Sequence, residues 1–257
     1  MFQNKSFILF AGMPRTGSTL LASILAQNPN VYGSGNSPLV DLMWNAYSAV
    51  DVKSTKTDLD AQKRLEEVRT DLVASTVQAY YKNAKEKFII EKGRGWLLAK
   101  NRKLAKKYFG EDVKVICFRR PVEQILSSFY NLMQPGCSDE EFFDRFLKYH
   151  IPIHDNIKGV KLSKFVKDPN VLHLEYDDIV HNTSDVLDKV YKFCELPSYQ
   201  HDLSNITRCF EEDDFSYDIE KLHEVRPTIS KRSHKVKLPE NFLQIGQDLT
   251  RQLYRYG

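Results

Sequence analysis

Residues 7–11 (FILFA) lead directly into Gly12-Met13-Pro14-Arg15-Thr16-Gly17-Ser18-Thr19-Leu20-Leu21. A buried strand, a glycine-bearing loop and the start of an apolar helix follow one another without a gap. This order constrains the fold more than any other part of the chain. The unpaired N–H groups of a helix's first turn and the positive end of its dipole converge on one point, so the segment is a cradle for phosphate. Gly12 and Gly17 are spaced as in the GxxxxGK[ST] loop of nucleotide triphosphatases. The lysine of that loop is absent: Ser18 holds its place, and the loop's cation is Arg15.

The remaining chain repeats the strand-then-helix order. Residues 88–91, 113–118 and 171–174 are short, apolar and β-branched, as buried strands are. Helical patterns cover residues 18–27, 38–50, 59–85, 96–108, 121–133 and 178–194, and Asn28-Pro29 should stop the first of them. Such alternation predicts an α/β fold in three layers, a central parallel sheet with a P-loop-like phosphate-binding loop after its first strand. The 257 residues suit one domain. Within it, residues 59–86 read as a helical insertion. Residues 202–238, with an acidic run at 211–214 and a basic one at 231–237, read as a lid or a solvated loop; a last helix starts near Pro239.

Composition excludes other classes. With 42% hydrophobic and 28% charged residues, disorder, collagen and coiled coil fail as whole-chain descriptions. A net charge of +3 gives no reason to expect a nucleic-acid partner, and the 231–237 cluster has few interleaved aromatics. Cys117, Cys137, Cys194 and Cys209 form no CxxC pair, and no histidine stands at metal-ligand spacing. Free thiols, no bound metal and a cytoplasmic location are expected. No stretch approaches the roughly 20 apolar residues of a membrane span.

The loop chemistry narrows the ligand. Kinases neutralise a triphosphate with the loop lysine and a Mg²⁺ held by a loop hydroxyl and a strand-end aspartate. Here Phe118 is followed by Arg119-Arg120. The site is rich in arginine and suits a ligand carrying several separate anions.

Residues 14–21 resemble the PRSGTTLL loop of PAPS-dependent sulfotransferases, which in that family grips the 5′-phosphosulfate of 3′-phosphoadenosine 5′-phosphosulfate (PAPS). Residues 115–130, Val-Ile-Cys-Phe-Arg-Arg-Pro-Val-Glu-Gln-Ile-Leu-Ser-Ser-Phe-Tyr, are similar to the family's strand–RxPxDxxxS–helix segment. Residues 171–179, with Phe193-Cys194-Glu195-Leu196-Pro197 behind them, look like its LRYEDL … FLGLP stretch. Further likeness to a bacterial and phage-type branch lies in Gln27-Asn28-Pro29-Asn30, Ser37-Pro38-Leu39, Arg94-Gly95-Trp96 and Leu222-His223-Glu224-Val225-Arg226.

The resemblance implies PAPS as donor, with Arg15, Thr16, Gly17, Ser18 and Thr19 on the 5′ side. It implies Arg119 and Ser127 on the 3′-phosphate, Tyr176 near the adenine, and Arg226 with the basic cluster as a cover. Sulfuryl transfer is governed by positioning and charge stabilisation. Arg15 is the first cation expected at the bridging oxygen, with Lys92 or Arg94, at the carboxyl end of the second predicted strand, as another. The base is open. Asn36 and Arg94 stand where relatives carry a glutamate and a histidine, which leaves Glu91, Asp41 and His223. The acceptor, whether small molecule, glycan, lipid or peptide, is equally open, as is oligomeric state. Two other readings stay open: a P-loop kinase, and a non-catalytic binder of adenosine 3′,5′-bisphosphate.

Overall fold

A computed structural model describes residues 4–148, 151–230 and 236–255. Among them, five parallel strands form one sheet: β1 (Ser6–Gly12), β2 (Val31–Tyr32), β3 (Phe88–Lys92), β4 (Lys114–Arg119) and β5 (Val171–Glu175), in the order β2-β3-β1-β4-β5. The helices are α1 (Ser18–Leu25), α2 (Leu39–Ser48), α3 (Lys53–Ala61), α4 (Leu65–Tyr80), α5 (Ala99–Phe109), α6 (Val122–Met133), α7 (Asp139–Phe143), α8 (Ile151–Val166), α9 (Tyr176–His181), α10 (Thr183–Cys194) and α11 (Glu240–Tyr254). The α/β class and the parallel sheet agree with the sequence reading.

Strand periodicity divides the core in two. Ile8, Phe10, Ile90, Ile116 and Phe118 face α1 and α10. Phe7, Leu9, Ile89, Val115 and Cys117 face the opposite side, packed with α4, α5, α6 and α8. Both faces are covered, so the strands are apolar throughout rather than alternating. β1 is central, with β3 and β4 in register on either side. The connection after β1 runs toward β2 and the one after β4 runs the other way, toward β5, and the crevice at the carboxyl ends where connections diverge is where such sheets bind ligands.

Several boundaries differ from expectation. The predicted helix over 59–85 is two helices: the chain turns through Lys63, whose φ is 57°, before α4 begins. Arg69 then anchors α4 beneath the preceding turn, ion-paired to Asp51 at 2.9 Å and Glu66 at 3.1 Å. The predicted helix over 178–194 also breaks, at Asn182, into α9 and α10. β2 was not anticipated because two residues carry no periodicity. The stop at Asn28-Pro29 holds: α1 ends at Leu25, and the Asn28 side chain donates to Tyr191 Oη and the Pro197 carbonyl, both at 3.2 Å.

Gly12 makes the loop possible. Its φ is 106°, and a Cβ there would stand 2.4 Å from the Phe118 carbonyl oxygen. That close approach lets the Met13 N–H donate to Phe118 O at 3.0 Å, which turns the chain off β1 toward α1.

Candidate active site

Gly17, left-handed with a φ of 81°, is the N-cap of α1. It has no side chain to cap the helix, and no acidic residue stands in the first turn. The first amides of α1 therefore keep the donors that helix geometry leaves unpaired. Thr16 Oγ1 donates to the Met13 carbonyl at 2.7 Å and fixes the loop from within. The cavity over this cradle is lined by five cations, Arg15, Lys92, Arg94, Arg120 and Arg226, against one carboxylate, Glu224. Such an imbalance around an uncapped helix start is the electrostatic requirement of a polyanion.

Arg15 crosses the cavity. Its Nε donates to Ser128 Oγ at 3.2 Å, and its guanidinium also bonds the Leu222 carbonyl. Arg120 Nη1 donates to the Arg15 carbonyl at 2.9 Å and Nε to Gln124 Oε1 at 3.2 Å, with the guanidinium 3.9 Å from the centre of the Tyr176 ring. Tyr176, expected at the adenine side, thus lines the cavity as the platform beneath Arg120. Residues 222–230 form the opposite wall, including Arg226, whose Nη1 lies 3.3 Å from Ser230 Oγ. Residues 231–235 of the expected cover lie outside the described residues.

Two residues expected at the 3′-phosphate lie outside this cavity, and their neighbours line it instead. Arg119 and Ser127 do not line the cavity; Arg120 and Ser128 do. Arg119 is the last residue of β4 and shares the face of Val115 and Cys117. Its guanidinium pairs with Glu175 at 2.6 Å beside the Tyr254 ring. The next residue points to the other face, as strand geometry dictates. Ser128 is buried beside Arg15, whereas the Ser127 side chain sits a helical step away. Both pairs have the same eight-residue separation, so the Arg-Arg and Ser-Ser doublets conceal the register.

The same alternation separates Glu91 from Lys92. Lys92 projects into the cavity, 5% exposed, and its Nζ donates to Thr19 Oγ1 at 2.8 Å. Burial, and then the neighbouring Arg94, push its pKa down to about 7. Burial also lowers the Arg94 guanidinium. Glu91 faces the other side of the sheet. It is fully buried and accepts the Tyr81 hydroxyl, and burial raises its carboxyl to about 7. It does not line this cavity, so the geometry argues against Glu91 as the base. Asp41 is exposed on α2, outside this cavity.

His223 is inside it. The ring is 5% exposed, with Nδ1 2.7 Å from Asp214 Oδ1; Asp214 Oδ2 accepts the His223 backbone N–H at 3.1 Å. A carboxylate only accepts, so Nδ1 carries the proton and the Nε2 lone pair faces Asn36 Nδ2 at 3.0 Å. Burial lowers the imidazole pKa below its ordinary 6.5, the Asp214 bond opposes that, and Lys92 lowers it further. A neutral, oriented imidazole beside buried cations is equipped to take a proton. Sequence reasoning missed Asp214: the acidic run at 211–214 was the signal, noted only as part of a lid or solvated loop with no role given to its carboxylates.

The fold is an α/β one with an uncapped helix start, ringed by cations, directly after the first strand. The sequence profile of the sulfotransferase family matches residues 7–201, and the chain belongs to that family. The sulfotransferase domain of the Synechococcus PCC 7002 olefin synthase has a similar fold, with a TM-score of 0.56 at 16% identity, covering 95% of this chain and 94% of that one. The sulfotransferase domain from the curacin biosynthetic pathway is similar at a TM-score of 0.55 and 14% identity, with 98% of each chain covered. No curated protein matches the chain. Among the described residues, no helix is long and apolar enough to cross a membrane, and no group of three or more acidic, histidine or cysteine side chains is placed to hold a metal ion.

Proposed function

We propose that the protein is a PAPS-dependent sulfotransferase acting on a hydroxyl acceptor, with His223 as base. The observation that carries this reading is the juxtaposition, across one cavity, of an uncapped, cation-ringed α1 N-terminus and the Asp214-oriented imidazole. When bound, PAPS supplies an activated sulfuryl group: the acceptor oxygen bonds to sulfur as the bond from sulfur to the 5′-phosphate breaks, and the electron pair leaves on that phosphate.

The cradle fits the donor's anions. The α1 amides and Arg15 hold the 5′ side, where negative charge grows during transfer, and preorganised donors lower the barrier there. Lys92, tied to Thr19, adds a second cation at the same point. Arg120 and Ser128 provide a charged and a neutral donor for the 3′-phosphate, and a charge-assisted bond is the stronger of the two. His223 Nε2 receives the acceptor's proton, and Asp214 stabilises the imidazolium that results. Residues 222–230 cover the donor, which limits hydrolysis.

Calorimetric titration with adenosine 3′,5′-bisphosphate in EDTA, beside ATP and 5′-AMP, tests the donor assignment. Micromolar binding of the bisphosphate with much weaker binding of the others is expected. Mg²⁺-dependent binding of ATP without bisphosphate binding would replace this reading with a P-loop kinase.

A further inference from the structure

A second cavity, of about 480 Å³, opens on the far side of Lys92 and Arg94, which line both. That volume is in the range of small-molecule sites. Its walls come from α2, the turn after β3, the start of α5, α8 and Tyr217. Asn36, whose backbone bridges to Lys92, sits at the junction with its Nδ2 on His223. A group entering from this side meets the buried cations directly and the His223 ring across the Asn36 amide.

The wall has a definite chemistry. Trp44 Nε1 donates to Asn101 Oδ1 at 2.7 Å, and Asn101 Nδ2 donates to the Gly95 carbonyl at 2.9 Å. Tyr47 packs edge-on to the indole, with centroids 5.3 Å apart. The ring is thus a fixed flat wall. Asn156, on α8, is 4% exposed, and its Nδ2 has no hydrogen-bond partner. Asn36 Oδ1 is also buried without one. Asp41 and Asp155 add carboxylates to the rim. Buried polar groups left unpaired are costly and call for a partner, and these two lie where a molecule entering the cavity would supply one.

We infer that this cavity receives the acceptor and that the acceptor is a carbohydrate, an inference that rests on the sulfotransferase reading above. A sugar ring offers an apolar C–H face to Trp44 and several hydroxyls, each both donor and acceptor, to Asn36, Asn156 and Asp41. One further hydroxyl meets His223 Nε2. A fatty alcohol would leave both amides unpaired, and a tyrosyl side chain brings one hydroxyl where the wall presents several partners.

The chain has two tryptophans, Trp44 and Trp96, and Trp96 is fully buried. Trp96 emits as well but does not line the cavity, so a change in emission on ligand binding there reports on Trp44. The 257-residue protein, saturated with adenosine 3′,5′-bisphosphate, is applied to an array of neutral and acidic mono- to tetrasaccharides, and hits are titrated by calorimetry, with tryptophan emission as a second readout in the proteins that keep Trp44. Binding to a subset of glycans with a change in emission is expected. Trp44→Ala, Asn156→Ala and the exposed-site variant Asp41→Ala should each weaken it at least tenfold, with bisphosphate affinity unchanged. No glycan bound, binding indifferent to Trp44→Ala and Asp41→Ala, or PAPS-dependent sulfation of dodecanol or a tyrosyl peptide would overturn the inference. The same array without bisphosphate separates the two readings: glycan capture that persists while the bisphosphate fails to bind sinks the donor assignment alone.

Discussion

His223 Nδ1 lies 2.7 Å from Asp214 Oδ1, nine residues earlier on the same irregular segment. The pair is local in sequence, yet it sits at the sheet's carboxyl edge, because Arg15 bonds the Leu222 carbonyl and Asn36 meets the far side of the ring. The segment between α10 and α11 is thereby part of the site.

The pair makes a kinetic prediction. His223→Ala should lower kcat by about 10²–10⁴, the usual contribution of a positioned base. Asp214→Asn should lower it by a smaller factor and also move the pH profile. Rate should rise with pH as the imidazole loses its proton, below 6.5 in the wild type. Removing the carboxylate that holds the proton on the ring shifts this rise to lower pH. Stopped-time transfer assays from pH 5 to 8 measure it; an unshifted rise in Asp214→Asn would dissociate the pair from catalysis.

The arginine doublet gives a second test. Arg120→Ala should weaken adenosine 3′,5′-bisphosphate binding by about 10- to 100-fold, the worth of one charged hydrogen bond of roughly 1.5–3 kcal/mol. It should weaken 5′-AMP much less. Arg119→Ala should leave bisphosphate affinity within about twofold but lower Tm, since Glu175, paired at 2.6 Å, loses its cation. Calorimetry on both variants, with the reverse pattern as the contrary result, decides which register holds the phosphate.

These residues also show where sequence ends as a guide. The strand-loop-helix of residues 6–25, the parallel sheet and the placement of Arg15, Lys92 and Arg94 were legible because periodicity and strand order are written locally. Arg119 against Arg120 was not, since two adjacent arginines satisfy one spacing and only the rotation of β4 about its axis chooses between them. Glu91 failed similarly: nearness to a strand end says nothing about which face a side chain takes. The Asp214–His223–Asn36 line joins an irregular segment to the loop beyond β2, a long-range closure that no periodicity announces.

Lys92 predicts the other side of the pH profile. Burial and Arg94 hold its pKa at about 7, so in the free enzyme its charge is lost as pH rises through that value. kcat/KM for PAPS, which reports the free enzyme's ionisations, should therefore decline above about pH 7. Lys92→Arg keeps the charge and should flatten the decline between pH 7 and 9, whereas Lys92→Met should be slow throughout. A decline unchanged in Lys92→Arg would assign it to another group.

Glu91 predicts a pH-dependent stability. In the unfolded chain its carboxyl titrates near 4.5, and in the fold burial raises it to about 7. Folding thus favours the protonated form, in which the carboxyl is neutral beside the Tyr81 hydroxyl and the apolar side chains of Ile89 and Trp96. A group raised in this way contributes stability fully below about pH 4.5 and loses it as pH rises through about 7. Carrying the ionised carboxyl in the fold at pH 8.5 costs on the order of 3 kcal/mol, since each tenfold change in a protonation equilibrium corresponds to about 1.4 kcal/mol. Glu91→Gln keeps the shape and stays neutral at every pH. Its Tm should match the wild type near pH 5 and exceed it by several degrees at pH 8.5, while bisphosphate affinity stays the same because the side chain lies on the opposite face from Lys92. Thermal melts of both proteins across pH 5–9 measure the difference; a Tm gap that does not widen with pH would mean that Glu91 is already ionised in the fold at pH 5.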